Sequence, residues 1–259
     1  MNSSDPLLQP FTLKHLTLKN RIISTSHEPA YSEDGLPKAR YRLYHEEKAK
    51  GGLALTMFGG GTLVAPDAAP AYGNLYAGDD RIIPYFRTLA EAVHRHGAAT
   101  MCQITHLGRR TSAYAGHWLP AIAPSPIREP AHRAFPKAME DWDIRRVVRA
   151  YGAAAIRCRD GDLDGIEVEA YGHLFDSFWS PALNHRTDRY GGSLENRMRF
   201  GIEVLQEIRR QVGDDYIVGI RMVFDEMRDG GLVFDEGMQI GEILTNSGLI
   251  DFISVIRGH

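Results

Sequence analysis

Apolar and polar positions along the chain follow two rhythms that take turns. Short apolar or alternating runs, NRIISTS at 20–26, LALTMF at 53–58, AATMCQIT at 98–105, GIEV within 164–168, YIVGIRM at 216–222 and IDFISVI at 250–256, predict strands. Between them, residues 40–50, 80–96, 141–159, 193–212 and 235–246 carry helical spacing. The punctuation agrees: Gly51–Gly52 and Gly97 stop the first two helices, and Ser193 is placed to cap the fourth. Residues 7–19 predict a hairpin with Lys14–His15 near a turn, whereas 107–139 is an insertion without periodicity.

Six strands and five intervening helices alternate, and the strands are apolar enough to be buried on both faces, which predicts a parallel sheet. An open doubly wound sheet is the weaker reading, because strand one runs into His27–Glu28–Pro29–Ala30 rather than a glycine-rich dinucleotide turn. The expected fold is α/β, a TIM (β/α)8 barrel truncated after strand six, with residues 1–259 as its N-terminal part. Such a sheet leaves two edges unpaired, so pairing with another chain, as in a homo-oligomer, is expected.

The hydrophobic share of 43% supports a packed core and excludes disorder. A net charge of −3 gives no electrostatic case for nucleic acid or an anionic membrane. Cys102 and Cys158 sit in apolar contexts typical of buried thiols and are too few for a disulfide framework. No basic region followed by an apolar run opens the sequence, and no apolar run reaches membrane-spanning length; a soluble, cytoplasmic chain is expected.

Candidate chemistry concentrates after the fourth strand, where Glu169, Tyr171 and His173 fall within five positions. Titratable groups at the C-terminal end of a strand stand where α/β barrels keep their active sites, although Tyr and His on loops also serve as surface hydrogen-bonders. The turn HRTDRYGG at 185–192 reads as scaffold, with Arg186 and Asp188 able to pair locally and two glycines making the bend.

Four segments carry a resemblance: LKNRI at 18–22, QITHLGRR at 103–110, RTDRYGGSLENRMRF at 186–200, and Arg221 inside strand five. In this order and on these elements they resemble the flavin-dependent old yellow enzyme superfamily. The nearest branch contains trimethylamine and dimethylamine dehydrogenases, 2,4-dienoyl-CoA reductase and N-methyl amino acid demethylases. The resemblance implies FMN, contacted by Ser26, Gly59, Gly60, Gln103 and Arg221. It also implies that strands seven and eight, which bind the FMN phosphate in this family, and a cysteine-rich 4Fe–4S segment belong to full-length relatives. A flavin needs polar partners along its pyrimidine edge and positive charge where the reduced ring gathers electrons, which an amide and a guanidinium supply.

Two departures refine the expectation. Trimethylamine dehydrogenase links its flavin to a cysteine just after strand one, where this chain has Glu28; FMN is therefore expected to be noncovalent. The family's His-x-x-His or His-x-x-Asn pair is replaced by Glu169–Ala170–Tyr171–Gly172–His173, one residue shorter. A carboxylate among Tyr171, Phe175, Phe178 and Trp179 suits an alkylammonium group, with barrel-to-helix packing as the competing reading for the last two. The expected function is oxidative N-demethylation of a small N-methyl amino acid of the N-methylproline or dimethylglycine type. Tyr171, His173 and His259 are the candidate acid–base groups. Glu28, Glu169 and Trp179 are candidates for holding the substrate, and Arg109, favoured over Arg110 and Arg257, for its carboxylate. The rival readings are an NAD(P)H-dependent ene or 2,4-dienoyl reductase and a non-catalytic, flavin-free fragment.

Overall fold

The N-terminal hairpin forms and closes one end of the sheet that follows. A computed structural model describes residues 4–68, 73–111, 119–131 and 133–257. Strands β1 (Phe11–Leu13) and β2 (Leu16–Leu18) pair antiparallel around Lys14, whose φ of 51° makes the turn. Strand β3 is only Ile23–Ser24, shorter than the apolar run suggested, and helix α1 (Ala39–Lys50) ends at Gly51. Strand β4 (Leu55–Leu63), helix α2 (Ile83–His94) and strand β5 (Ala99–Thr105) follow.

The insertion contains two short strands, β6 (Ile122–Ala123) and β7 (Lys137–Ala138), paired parallel. Helix α3 (Asp141–Asp160) starts at a capping box in which Glu140 and Asp143 bond each other's backbone N–H. Then come strand β8 (Gly165–Ala170), a single helical turn α4 (Leu174–Ser177) and helix α5 (Leu194–Val212), capped by Ser193 as expected. Strand β9 (Ile217–Met222), helix α6 (Phe234–Asn246) and strand β10 (Phe252–Val255) complete the described chain.

The six long-range strands form one sheet in the order β10-β9-β8-β5-β4-β3, every neighbour parallel. Helices pack on its outer face around Phe58, Phe86, Tyr151, Val168, Phe200 and Ile220. On the inner face, Leu55, Met57, Met101 and Ile217 pack with Leu18 of the hairpin at the N-terminal end of the strands. This is the architecture of a (β/α)8 barrel, with six of the eight strands that such a barrel needs among the described residues. The apolar floor and the outer helical layer leave the C-terminal strand ends as the place for polar groups.

Candidate functional site

Strand register brings the polar groups together. Gln103 of β5 lies opposite Glu167 of β8, and Glu169 of β8 lies opposite Arg221 of β9. Because side chains alternate along a strand, Glu167 and Glu169 share the inner face. Glu167 is fully buried and accepts hydrogen bonds from Gln103 Nε2 at 2.7 Å and Ser26 Oγ at 3.1 Å. Arg221 reaches Ser26 from the other side, with contacts of 3.3 Å to its hydroxyl and 3.4 Å to its carbonyl. Burial pushes the Glu167 carboxyl above its ordinary range, opposed by the Gln103 hydrogen bond and the Arg221 charge. Three residues singled out in the sequence, Ser26, Gln103 and Arg221, therefore converge on a fourth that was not.

The glycines form a wall rather than a strand end. Strand β4 runs through Gly59, Gly60 and Gly61 at φ values of 97°, 31° and 97°, and its pairing with β5 shifts between Phe58 and Thr62. The bulge frees the Gly59 N–H to donate to the buried Tyr41 hydroxyl at 2.9 Å. A Cβ on Gly60 would overlap the backbone of His27 and Glu28, and one on Gly61 would sit 3.1 Å from Glu169 Oε2. Backbone thus faces the cluster where side chains would fill it.

Glu169 lies within β8 rather than on the loop after it. Its Oε2 is 3.2 Å from His173 Nδ1, and both side chains are 9% exposed. Neither atom has a hydrogen-bond partner among the described residues; the same holds for Glu28 Oε2, Glu167 Oε2 and Arg110 Nε. Unpaired buried polar atoms are costly, so a convergence of them marks a site shaped for a polar ligand. The turn between Ala170 and α4 is held by Asp176, which accepts the backbone N–H of Gly172 at 2.7 Å and of His173 at 2.9 Å. Full burial raises Asp176 to about 6, against those hydrogen bonds. Tyr171 lines a cavity of about 260 Å³ with Arg110, Gly172, Asp176, Val223 and Glu226.

Two of the expected site residues have their side chains engaged elsewhere, and a third lies outside the described residues. Trp179 is 1% exposed and packs edge-on against Phe175, with its carbonyl bonded by Arg197; it is core, away from the polar cluster. Arg109 spends its guanidinium on the carbonyls of Ile127 and Arg128, at 3.2 and 3.1 Å, and so braces the insertion. His259 lies outside the described residues. The histidine of the QITHLGRR segment is also structural. His106 Nδ1 accepts from Gly108 N–H at 3.0 Å, and its Nε2 is 3.2 Å from Asp67, which also pairs with Arg146. Arg186 pairs with Asp188 and bonds the carbonyls of Pro124 and Met139, fixing the RTDRYGG turn as scaffold.

Glu28 is partly buried beside Gly60, with Oε1 accepting the Ala30 N–H at 2.8 Å. Burial lifts its carboxyl to about 8 against that hydrogen bond. A raised folded-state pKa contributes stability that is full below the unfolded value near 4.5 and is lost as pH rises through about 8. Without flavin or substrate, stability relative to Glu28→Gln is therefore expected to fall between pH 5 and pH 8. Urea melts of both proteins across that range measure it; parallel curves would refute the assignment.

The comparisons with known proteins settle the family. The family model described as NADH:flavin oxidoreductase / NADH oxidase family matches residues 6–255. The chain belongs to that family. It is 55% identical, over 99% of its length, to a probable N-methylproline demethylase of Rhizobium meliloti (strain 1021). It is 56% identical to a multifunctional alkene reductase/demethylase OYE of Caballeronia cordobensis, again over 99% of its length. It spans 38% of the length of each of these relatives. Among solved structures, morphinone reductase in complex with tetrahydroNAD superposes with a TM-score of 0.88 at 25% identity, covering 97% of this chain and 74% of that one.

The residues present fit a flavin. Gln103 keeps its carbonyl and one N–H beyond the bond to Glu167, Arg221 makes only long contacts, and the glycine bulge offers bare backbone.

Proposed function

We propose that this chain forms the substrate and flavin-ring side of an FMN-dependent enzyme that oxidatively demethylates a small N-methyl amino acid. Bound FMN, held noncovalently, supplies the acceptor for hydride from the N-methyl carbon. Ser26, Gln103 and Arg221 hold the polar edge of the ring, with Glu167 behind them, and Gly59 and Gly60 give its surface room. Glu169 draws the substrate ammonium into the site, and His173, with Tyr171 beside it, takes the proton that must leave before nitrogen can donate its lone pair. Loss of hydride leaves an iminium that water converts to formaldehyde and the demethylated amine.

The observation that carries this reading is the buried Glu169–His173 pair. Its carboxyl and imidazole groups lie 3.2 Å apart, an arrangement that suits an alkylammonium better than a carbonyl oxygen. The relatives named for N-methylproline demethylation and for N,N-dimethylglycine/sarcosine dehydrogenation support it. A second reading, NAD(P)H-dependent reduction of an activated C=C bond with His173 or Tyr171 as proton donor, draws on the relative named as both alkene reductase and demethylase. Anaerobic titration of the FMN-loaded full-length protein separates them. Bleaching by N-methylproline or dimethylglycine with formaldehyde release is the expected result; bleaching by NADPH alone would replace it with the reductase.

A further inference from the structure

The cavity beside Tyr171 adjoins a second one of about 480 Å³, walled by Arg109, Arg110, Arg128 and Arg228 against Glu129, Asp176 and Glu226. The two cavities share Arg110, Gly172, Asp176 and Glu226, so Arg110 stands at the joint between them. We propose that Arg110 is the residue that binds the substrate carboxylate, with the arginine-lined cavity as the anion-attracting entrance. The proposal rests on the N-methyl amino acid reading and names the group that distinguishes an amino acid from a simple amine.

Several charges around the two cavities are already committed. Arg109 donates to two carbonyls of the insertion. Both oxygens of Asp176 accept backbone N–H groups, and Glu226 Oε2 accepts from Ser180 Oγ and from Leu232 N–H, each at 2.6 Å. Arg128 and Arg228 line only the second cavity, whereas Arg110 lines both. Its Nε is buried without a hydrogen-bond partner among the described residues. Its guanidinium lies over Gly172, where a Cβ would come within 2.6 Å of the terminal nitrogen. Glycine, at a φ of 69°, leaves room for the end of the arginine to come up against the turn that carries Tyr171 on one side and His173 on the other.

A guanidinium so placed offers a planar fork that matches a carboxylate. It sits one residue from His173, which itself faces Glu169. An α-amino acid carries its nitrogen and carboxylate on one carbon, so a molecule bridging the Glu169–His173 pair and Arg110 has its cation on the acid and its anion on the arginine. A dimethylamine or trimethylamine has nothing for Arg110 to hold. The same arrangement explains why the base and the arginine do not pair with each other's neighbours: both wait for the ligand.

The test compares acids with their neutral esters in the full-length, FMN-loaded protein. For Arg110→Gln, kcat/KM with N-methylproline and dimethylglycine is expected to fall about 10- to 100-fold, mostly through KM, while their methyl esters change less than about threefold. Arg110→Lys should fall between, since a point charge replaces a fork. Calorimetry adds a readout without turnover: proline should bind the wild type more tightly than prolinamide, and Arg110→Gln should erase the difference. Equal losses on acids and esters, or no loss on acids, would overturn the carboxylate site alone. A wild-type flavin left oxidised by acids and esters alike would refute the demethylase reading and this site with it.

Discussion

Replacing Gly60 with alanine is expected to destabilise the protein by about 3 kcal/mol or more and to remove FMN binding. The new methyl would overlap main-chain atoms of His27 and Glu28, which cannot swing aside as the end of a long side chain can. One of the two backbones must move. The segment after β3 carries Ser26, which bonds Glu167 and accepts from Arg221, so its displacement opens the polar cluster at the same time. Gly52→Ala is the control. That residue has a φ of 98° but nothing within 4 Å of the added atom. It should cost only backbone strain, about 1 kcal/mol, and leave the flavin bound. Urea denaturation gives the first quantity and flavin fluorescence quenching the second. A Gly60→Ala protein no less stable than Gly52→Ala would show that the two backbones are not in contact.

This packing also marks where sequence patterning stopped being informative. The order of strands and helices was legible because each buried strand is an apolar run and each helix has its own stop or cap. Three glycines after Phe58 looked like the end of a strand. In the fold they continue it as a bulge, because what matters there is the closeness of His27–Glu28, a neighbour far away in sequence. Glu169 was assigned to a loop for a related reason: a carboxylate after four alternating residues looks like an exit to solvent, yet β8 runs on to Ala170 with both faces buried.

The site was legible where residues form parts of recognisable segments and illegible where geometry chooses between equals. Ser26, Gln103 and Arg221 stood in matched positions and do meet in space. Arg109 and Arg110 are adjacent and chemically identical, and only the path of the chain sends one to the insertion and the other over Gly172. Trp179 belongs to an aromatic set whose composition suits a cation site equally well as a core. The one-turn helix α4 and the close Phe175–Trp179 packing decide for the core. Glu167 left no signal because a single acid within a short apolar run belongs to none of the matched segments. Its role appears only when parallel neighbours put Gln103 on one side and the inner face is closed.

Glu167 accordingly carries the other large expected effect. Glu167→Ala leaves the Gln103 amide and the Ser26 hydroxyl without their acceptor and takes away the carboxylate whose field Arg221 feels. Two buried donors unpaired at once should cost about 3 kcal/mol of stability. With their common acceptor gone, the amide and the Ser26 hydroxyl that Arg221 reaches no longer keep one orientation, so FMN affinity should fall at least about tenfold, the cost of 1.4 kcal/mol. Glu167→Gln tests whether shape or charge is responsible. It retains an oxygen that can accept from Gln103, and the Ser26 hydroxyl can rotate, so stability should lie much nearer the wild type than that of Glu167→Ala. Thermal melts without flavin and equilibrium titration with FMN report the two effects separately. If Glu167→Ala melts and binds FMN as the wild type does, Glu167 is not what holds these residues in place. If it loses stability but keeps full FMN affinity, the cluster is structural and the flavin ring is held elsewhere.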